Sequence, residues 1–243
     1  MLFAVLLLLL LPAPSAGEAS VADDGGAGFD PAERYRACDP GDAVRLEFLE
    51  RRIRDNAPYA RWWSRAWLGV YVGGMAFEGV RAGLTDARER RAAAIANASK
   101  STIGLARALL SPPTAMGDVD AFDAPVEDAG HCTERLEAAE ARLRQSAEEA
   151  RHERWGWIPH LANFALNAGA AVTVAELYDY DAAYARGALG FAVGEIRLWS
   201  FPWHAESDWA DYEDRFGEAR SAAPETTWML EATPNGARVV VRF

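Results

Sequence analysis

Four histidines, two cysteines and a few charged residues set inside otherwise apolar stretches are the groups of this chain that could do chemistry. His131, His152, His160 and His204 fall at no metal-ligating spacing. The chain has no His-Glu-x-x-His, no Gly-x-Ser-x-Gly, no phosphate-cradling glycine loop and no Cys-x-x-Cys. His160, Asn163 and Asn167 recur at helical spacing and share one face. That face could line a cavity, although hydrogen bonds between helices use the same residues. Glu78, Arg81, Lys100, Arg107, Glu195 and Arg197 interrupt apolar segments. Glu78 and Arg81 stand three apart and can pair within one helix, while Lys100 can meet Glu195 across helices. An enzyme would have to draw its acid and base from Glu78, Lys100, His160 or Glu195. His204, Glu206, Asp208 and Asp211 could hold a divalent cation, but a solvated acidic turn explains them as well. No catalytic residue, metal or cofactor is expected.

The elements that must position these groups are mostly helices. Val44, Phe48, Leu49 and Ile53 lie at helical spacing within residues 42–55. Four apolar, small-residue-rich segments follow, over residues 62–84, 92–110, 158–178 and 184–201. Pro112-Pro113 stops the second, and an acidic loop over 113–132 (Asp118, Asp120, Asp123, Glu127, Asp128) separates it from a charged helix over 133–154. In that helix Leu136, Ala139, Leu143, Ala147 and Ala150 form a thin apolar stripe. The tail over 204–243 is acidic and aromatic and ends in a β-hairpin through Pro234-Asn235-Gly236. Its run from Asp208 to Glu213 reads as a surface helix anchored by aromatics. The expected fold is mainly α: a Gly/Ala-packed four-helix core over 42–203, an extra charged helix and a small C-terminal hairpin.

Glycines carry the packing argument. Gly69, Gly73, Gly79 and Gly83 step along the first apolar segment, and Gly187, Gly190 and Gly194 along the fourth. Each helical glycine costs ~1 kcal/mol relative to alanine. Close approach between helices is the return expected of all seven, in a membrane or in a water-soluble Ala-rich bundle.

Aromatic clusters bracket the segments: Trp62, Trp63 and Trp67, Trp155 and Trp157, Tyr178, Tyr180 and Tyr184, Trp199 and Trp203. Such belts are typical of membrane interfaces. The uncharged stretch 158–175 would cover ~27 Å as a helix. Four crossings are therefore expected, with the loop 85–91 and its arginines inside. Against this stand the charges within the segments, at ~2.5–3.5 kcal/mol each in a bilayer centre, and the arginines at 51–65 and 151–154, which break the positive-inside rule.

Residues 1–19 read as a cleaved signal peptide: an unbroken apolar run over 2–11, Pro12, then small residues, although no basic side chain precedes the run. The cleavage position stays open between Gly17 and Ala19. Residues 20–41 begin as an acidic, Gly-rich flexible leader. In an oxidising compartment Cys38 and Cys132 are expected to pair. The net charge of −11 argues against a nucleic-acid partner, and none is expected. Frequent Ala, Arg and Gly suggest a high-GC bacterial genome, and so a destination in the periplasm or inner membrane.

One string, Leu166-Asn167-x-Gly169 with Gly187, Gly190-x-x-x-Gly194-Glu195 and Trp199-x-x-Pro202, resembles uncharacterised exported helical envelope proteins of high-GC Gram-negative bacteria. That resemblance implies location and helical build, and no activity. The sequence as a whole leads to a non-enzymatic, membrane-embedded structural or accessory protein with a lipid or membrane-protein partner. The alternative is a soluble periplasmic bundle that binds a hydrophobic ligand. Oligomeric state stays open.

Overall fold

The computed structural model describes residues 34–117, 119, 122, 124, 126–217, 227–233 and 236–242, the last two stretches as backbone only. The expected signal peptide and most of the expected leader lie outside the described residues. Within them the protein is mainly helical, with helices α1 (Pro40–Leu84), α2 (Arg88–Leu110), α3 (Ala129–Trp155), α4 (Trp157–Tyr178), α5 (Ala182–Trp199) and α6 (His204–Phe216). A single 3-10 turn, Thr114–Met116, follows α2. Past α6 the described backbone is two strands, Thr227–Thr233 and Gly236–Arg242, antiparallel to each other. Pro234, Asn235 and Phe243 of the expected hairpin lie outside the described residues.

Helix boundaries follow local chemistry. The Asp39 side chain accepts from the Gly41 amide and Asp128 from the His131 amide, so aspartates open α1 and α3. Asp179 closes α4 in the left-handed conformation at φ 53°.

The expected helix over 42–55 and the first apolar segment are one continuous helix of 45 residues, about 68 Å long. Pro58 removes one backbone hydrogen bond inside it. Tertiary packing carries the helix through: Ala57 and Ala60 on either side are fully buried, and the Tyr59 hydroxyl donates to the Ser200 carbonyl at 3.1 Å.

This long helix joins two bodies of different character. Its first half packs against α3 and α6 around Leu46, Phe48, Leu49, Ile53, Leu136, Leu143 and Tyr212. The Cys38–Cys132 disulfide, with Cα atoms 5.5 Å apart, ties its start to α3. Ala205 and Tyr212 of α6 belong to this core. Asp208 salt-bridges Arg52 at 3.0 Å and accepts from Asn56 at 2.8 Å, while Asp211 pairs with Arg52 and Glu206 with Arg154. The acidic groups considered for a cation are thus spent on arginines and an asparagine. No cluster of metal-ligating side chains occurs among the described residues.

The second half of α1 turns back through Thr85 into α2, and α4 turns back through Asp179 into α5. These two distal hairpins meet mainly where α2 packs on α4. Among the described residues no helix is long and apolar enough to cross a membrane. The expectation of four crossings is corrected accordingly: Asn163, Asn167, Lys100, Arg186 and their like keep the apolar runs too short.

The glycine expectation is half corrected. A Cβ added at Gly69, Gly73, Gly79 or Gly83 would meet nothing within 4 Å, so that stripe brings no helix close. On α5 the reverse holds. A Cβ at Gly187 would stand 2.6 Å from the Ala171 Cβ and 3.1 Å from the Asn167 carbonyl oxygen, and Gly190 and Gly194 are filled by the Asn167 and Asn163 side chains. Gly104 of α2, which periodicity did not single out, admits the Tyr71 ring in the same way.

Candidate functional site

A cleft of about 710 Å³ opens between the distal hairpins, within the range of small-molecule sites. Val70 and Phe77 of α1, Ile103 of α2, Leu166 of α4 and Leu189 and Val193 of α5 supply apolar lining. Polar groups from all four helices share it: Glu78, Arg81, Asn97, Lys100, Arg107, Asn163, Asn167, Arg186 and Arg197.

These polar groups are ordered into a ladder. Lys100 Nζ donates to Asn167 Oδ1 at 3.0 Å, and Asn167 Nδ2 donates to the backbone carbonyl and side-chain oxygen of Asn163, each at 2.9 Å. Asn163 Nδ2 in turn donates to Glu195 Oε1 at 2.9 Å and the Phe191 carbonyl at 3.0 Å. Glu195 Oε2 lies 2.7 Å from His160 Nδ1, and His160 Nε2 lies 3.0 Å from the Arg154 carbonyl. Each asparagine is thus held from both sides, as half-buried amides require.

The expected face of His160, Asn163 and Asn167 is therefore real, and it binds α4 to α5 and α2. Lys100 does not meet Glu195; both asparagines stand between them in the ladder. Glu78 and Arg81 do pair, at 2.7 Å.

Chemically the ladder is a positioning device. Burial works against a charge on His160, but the Arg154 carbonyl and the Glu195 carboxylate outweigh it and raise the imidazole above its ordinary pKa. Both ring nitrogens are engaged, so the ring has no free edge for a substrate. Burial also pulls the Lys100 pKa down, against the attraction of Glu78.

Two participants were invisible to spacing. Glu153, near the end of the charged helix, is buried and bridges Arg107 of α2 and Arg197 of α5, the latter at 3.2 Å. Arg197 also stands over the Trp63 ring, 5.4 Å from its centroid. One carboxylate so ties three helices at the root of the cleft, and only arginines more than forty positions away in sequence reveal it. Gly190 is the second, in role rather than identity: the missing Cβ leaves room for the Lys100 ammonium and the Asn167 amide together.

A contrast between the glycines tests this assignment. Gly194→Ala should displace Asn163 from the ladder and cost about 1–3 kcal/mol, as overpacking does. Gly73→Ala, on the open side of α1, should be neutral or gain up to ~1 kcal/mol from helix propensity. Urea denaturation of both variants decides it, and equal effects would remove the distinction between the two stripes.

No protein-family model, curated protein or solved structure matches this chain.

Proposed function

We propose that this protein is an exported, non-enzymatic component of the cell envelope that rests its distal hairpins against lipid, as a structural or accessory part of a membrane assembly. The supporting observation is the inverted polarity of α4. Its polar residues His160, Asn163 and Asn167 face the neighbouring helices, whereas Trp157, Ile158, Leu161, Phe164 and Leu177 are exposed. Large exposed apolar surfaces of this kind mark interaction sites. Trp155, Trp199 and Trp203 gather exposed around Arg154 at the waist, Trp155 and Trp199 with centroids 4.9 Å apart. Indoles at that position suit a membrane interface. A disulfide is compatible with the oxidising compartment that export implies. The likeness to exported envelope proteins of high-GC Gram-negative bacteria and the terminal hairpin belong to this proposal.

Vesicle flotation tests it. The purified full chain should rise with phospholipid vesicles and be released from them by alkaline carbonate, since no described helix crosses a bilayer. Protein that remains monomeric at the bottom of the gradient with every vesicle composition would overturn the proposal.

The cleft favours a second reading, a periplasmic bundle that holds a hydrophobic ligand between its hairpins. An apolar-walled opening of about 710 Å³ is what such a role requires.

A further inference from the structure

Resting on the hydrophobic-ligand reading of the cleft, we infer that it binds one anionic amphiphile. The acidic headgroup sits on Lys100 and Arg186, and the hydrocarbon chain runs along Val70, Phe77, Leu166 and Leu189.

Charge complementarity sets the headgroup. The chain is strongly acidic, at −11, yet the cleft lining holds Arg81, Lys100, Arg107, Arg186 and Arg197 against Glu78 alone. Three of these cations are answered within the protein: Arg81 by Glu78, and Arg107 and Arg197 by Glu153. Lys100 and Arg186 have no carboxylate within ion-pair distance among the described residues. Lys100 has three N–H donors and gives one of them to Asn167. The Arg186 guanidinium lies 6.0 Å from the Tyr180 ring centroid. The two cations also line a common adjoining hollow of about 10 Å³, which has room for one water.

Burial penalises the charge of Lys100 in this cleft, and the attraction of Glu78 offsets only part of the penalty. A carboxylate or phosphate bridging Lys100 and Arg186 would relieve that penalty through charge-assisted hydrogen bonds. The chain follows from the walls. Val70 and Phe77 on α1 face a cleft whose other side carries Leu166 of α4 and Leu189 of α5, so a hydrocarbon leaving the headgroup meets apolar side chains from three helices.

The experiment uses delipidated full-length protein and the fluorescent fatty acid cis-parinarate, displaced in turn by palmitate, lysophosphatidylglycerol, hexadecanol and inorganic phosphate. The inference expects saturable binding of parinarate at one per chain, displacement by both anionic amphiphiles, and hexadecanol weaker by about tenfold or more. Inorganic phosphate should not displace, because it lacks the chain. The double variant Lys100→Met, Arg186→Met should lose about tenfold or more in palmitate affinity and with it the preference for palmitate over hexadecanol. Lys100→Arg should retain the preference for the anion, which keeps the test open if the double variant does not fold.

Hexadecanol binding as tightly as palmitate would overturn the anionic inference and leave the hydrophobic-ligand reading standing. Displacement by phosphate alone would assign the cations to a free anion and overturn the amphiphile. No saturable binding of any amphiphile would overturn both.

Discussion

Removing the Cys38–Cys132 bond, by reduction or by Cys38→Ala with Cys132→Ala, should lower the unfolding free energy by about 4–5 kcal/mol on the chain-entropy model. The closed loop spans 94 positions and contains all of α1, all of α2 and the start of α3. Cross-linking it denies the unfolded chain a large set of conformations, and the cost falls on the unfolded state rather than on native contacts. Cys132 is nearly fully buried in the proximal core, so alanine is the better replacement: serine would add a buried hydroxyl. Urea denaturation with and without a thiol reductant measures the effect. The reduced wild type and the double alanine variant should agree within about 1 kcal/mol, since the second differs only by a small buried volume. A loss below about 1 kcal/mol in both would show that the unfolded chain keeps these segments together without the bond.

The helices were legible in the sequence for local reasons, and the pairing because the chain has two cysteines. The proline pair at 112–113 and 3.6-residue periodicity both act within one turn of the residues they affect. The segments over 42–55 and 62–84 read as separate because the burial of Ala57 and Ala60, which carries α1 through Pro58, comes from distant elements. The glycines show the same limit. Spacing places Gly69 and Gly190 on stripes of equal quality, yet only α5 has a partner helix lying over its stripe.

The cleft was the least legible part. Lys100, Asn163, Asn167 and Glu195 were recognisable as polar interruptions, and a shared face on α4 followed from spacing alone. Their order in the ladder did not. Lys100 and Glu195 attract each other on paper, but the register of α4 between α2 and α5 sets two asparagines in the intervening space. Glu153 reads as one more charge on a helix rich in them until Arg107 and Arg197 arrive from other elements. Periodicity tells which residues share a face, and packing alone decides what that face meets.

Glu50 carries the other large expectation. Its side chain is fully buried, with Oε1 at 2.6 Å from Arg135 Nε, Oε2 at 2.8 Å from the Tyr35 hydroxyl and Arg54 at 3.5 Å. Burial, together with the hydrogen bond to this carboxylate, pushes the Tyr35 phenol up to about 12. Arg135 also donates to the carbonyls of Phe122 and Ala124, which folds the loop before α3 onto the core. Glu50→Ala should therefore cost about 3–5 kcal/mol, because it strands a buried guanidinium and releases the loop. The attraction is not the whole of that figure. Taking both charges out of water offsets much of it, so Glu50→Met with Arg135→Met should recover part of the loss, the remainder being the Phe122 and Ala124 carbonyls and the Tyr35 hydroxyl left without their partners. A double-mutant cycle by urea denaturation reads the difference as a coupling energy. Single variants near wild-type stability would mean that water reaches the pair. A double variant as unstable as the sum of the singles would mean that Arg135 acts through the Phe122 and Ala124 carbonyls alone. The part recovered reads the cost of stranding one buried charge, and the part not recovered reads the hydrogen bonds that methionine cannot make.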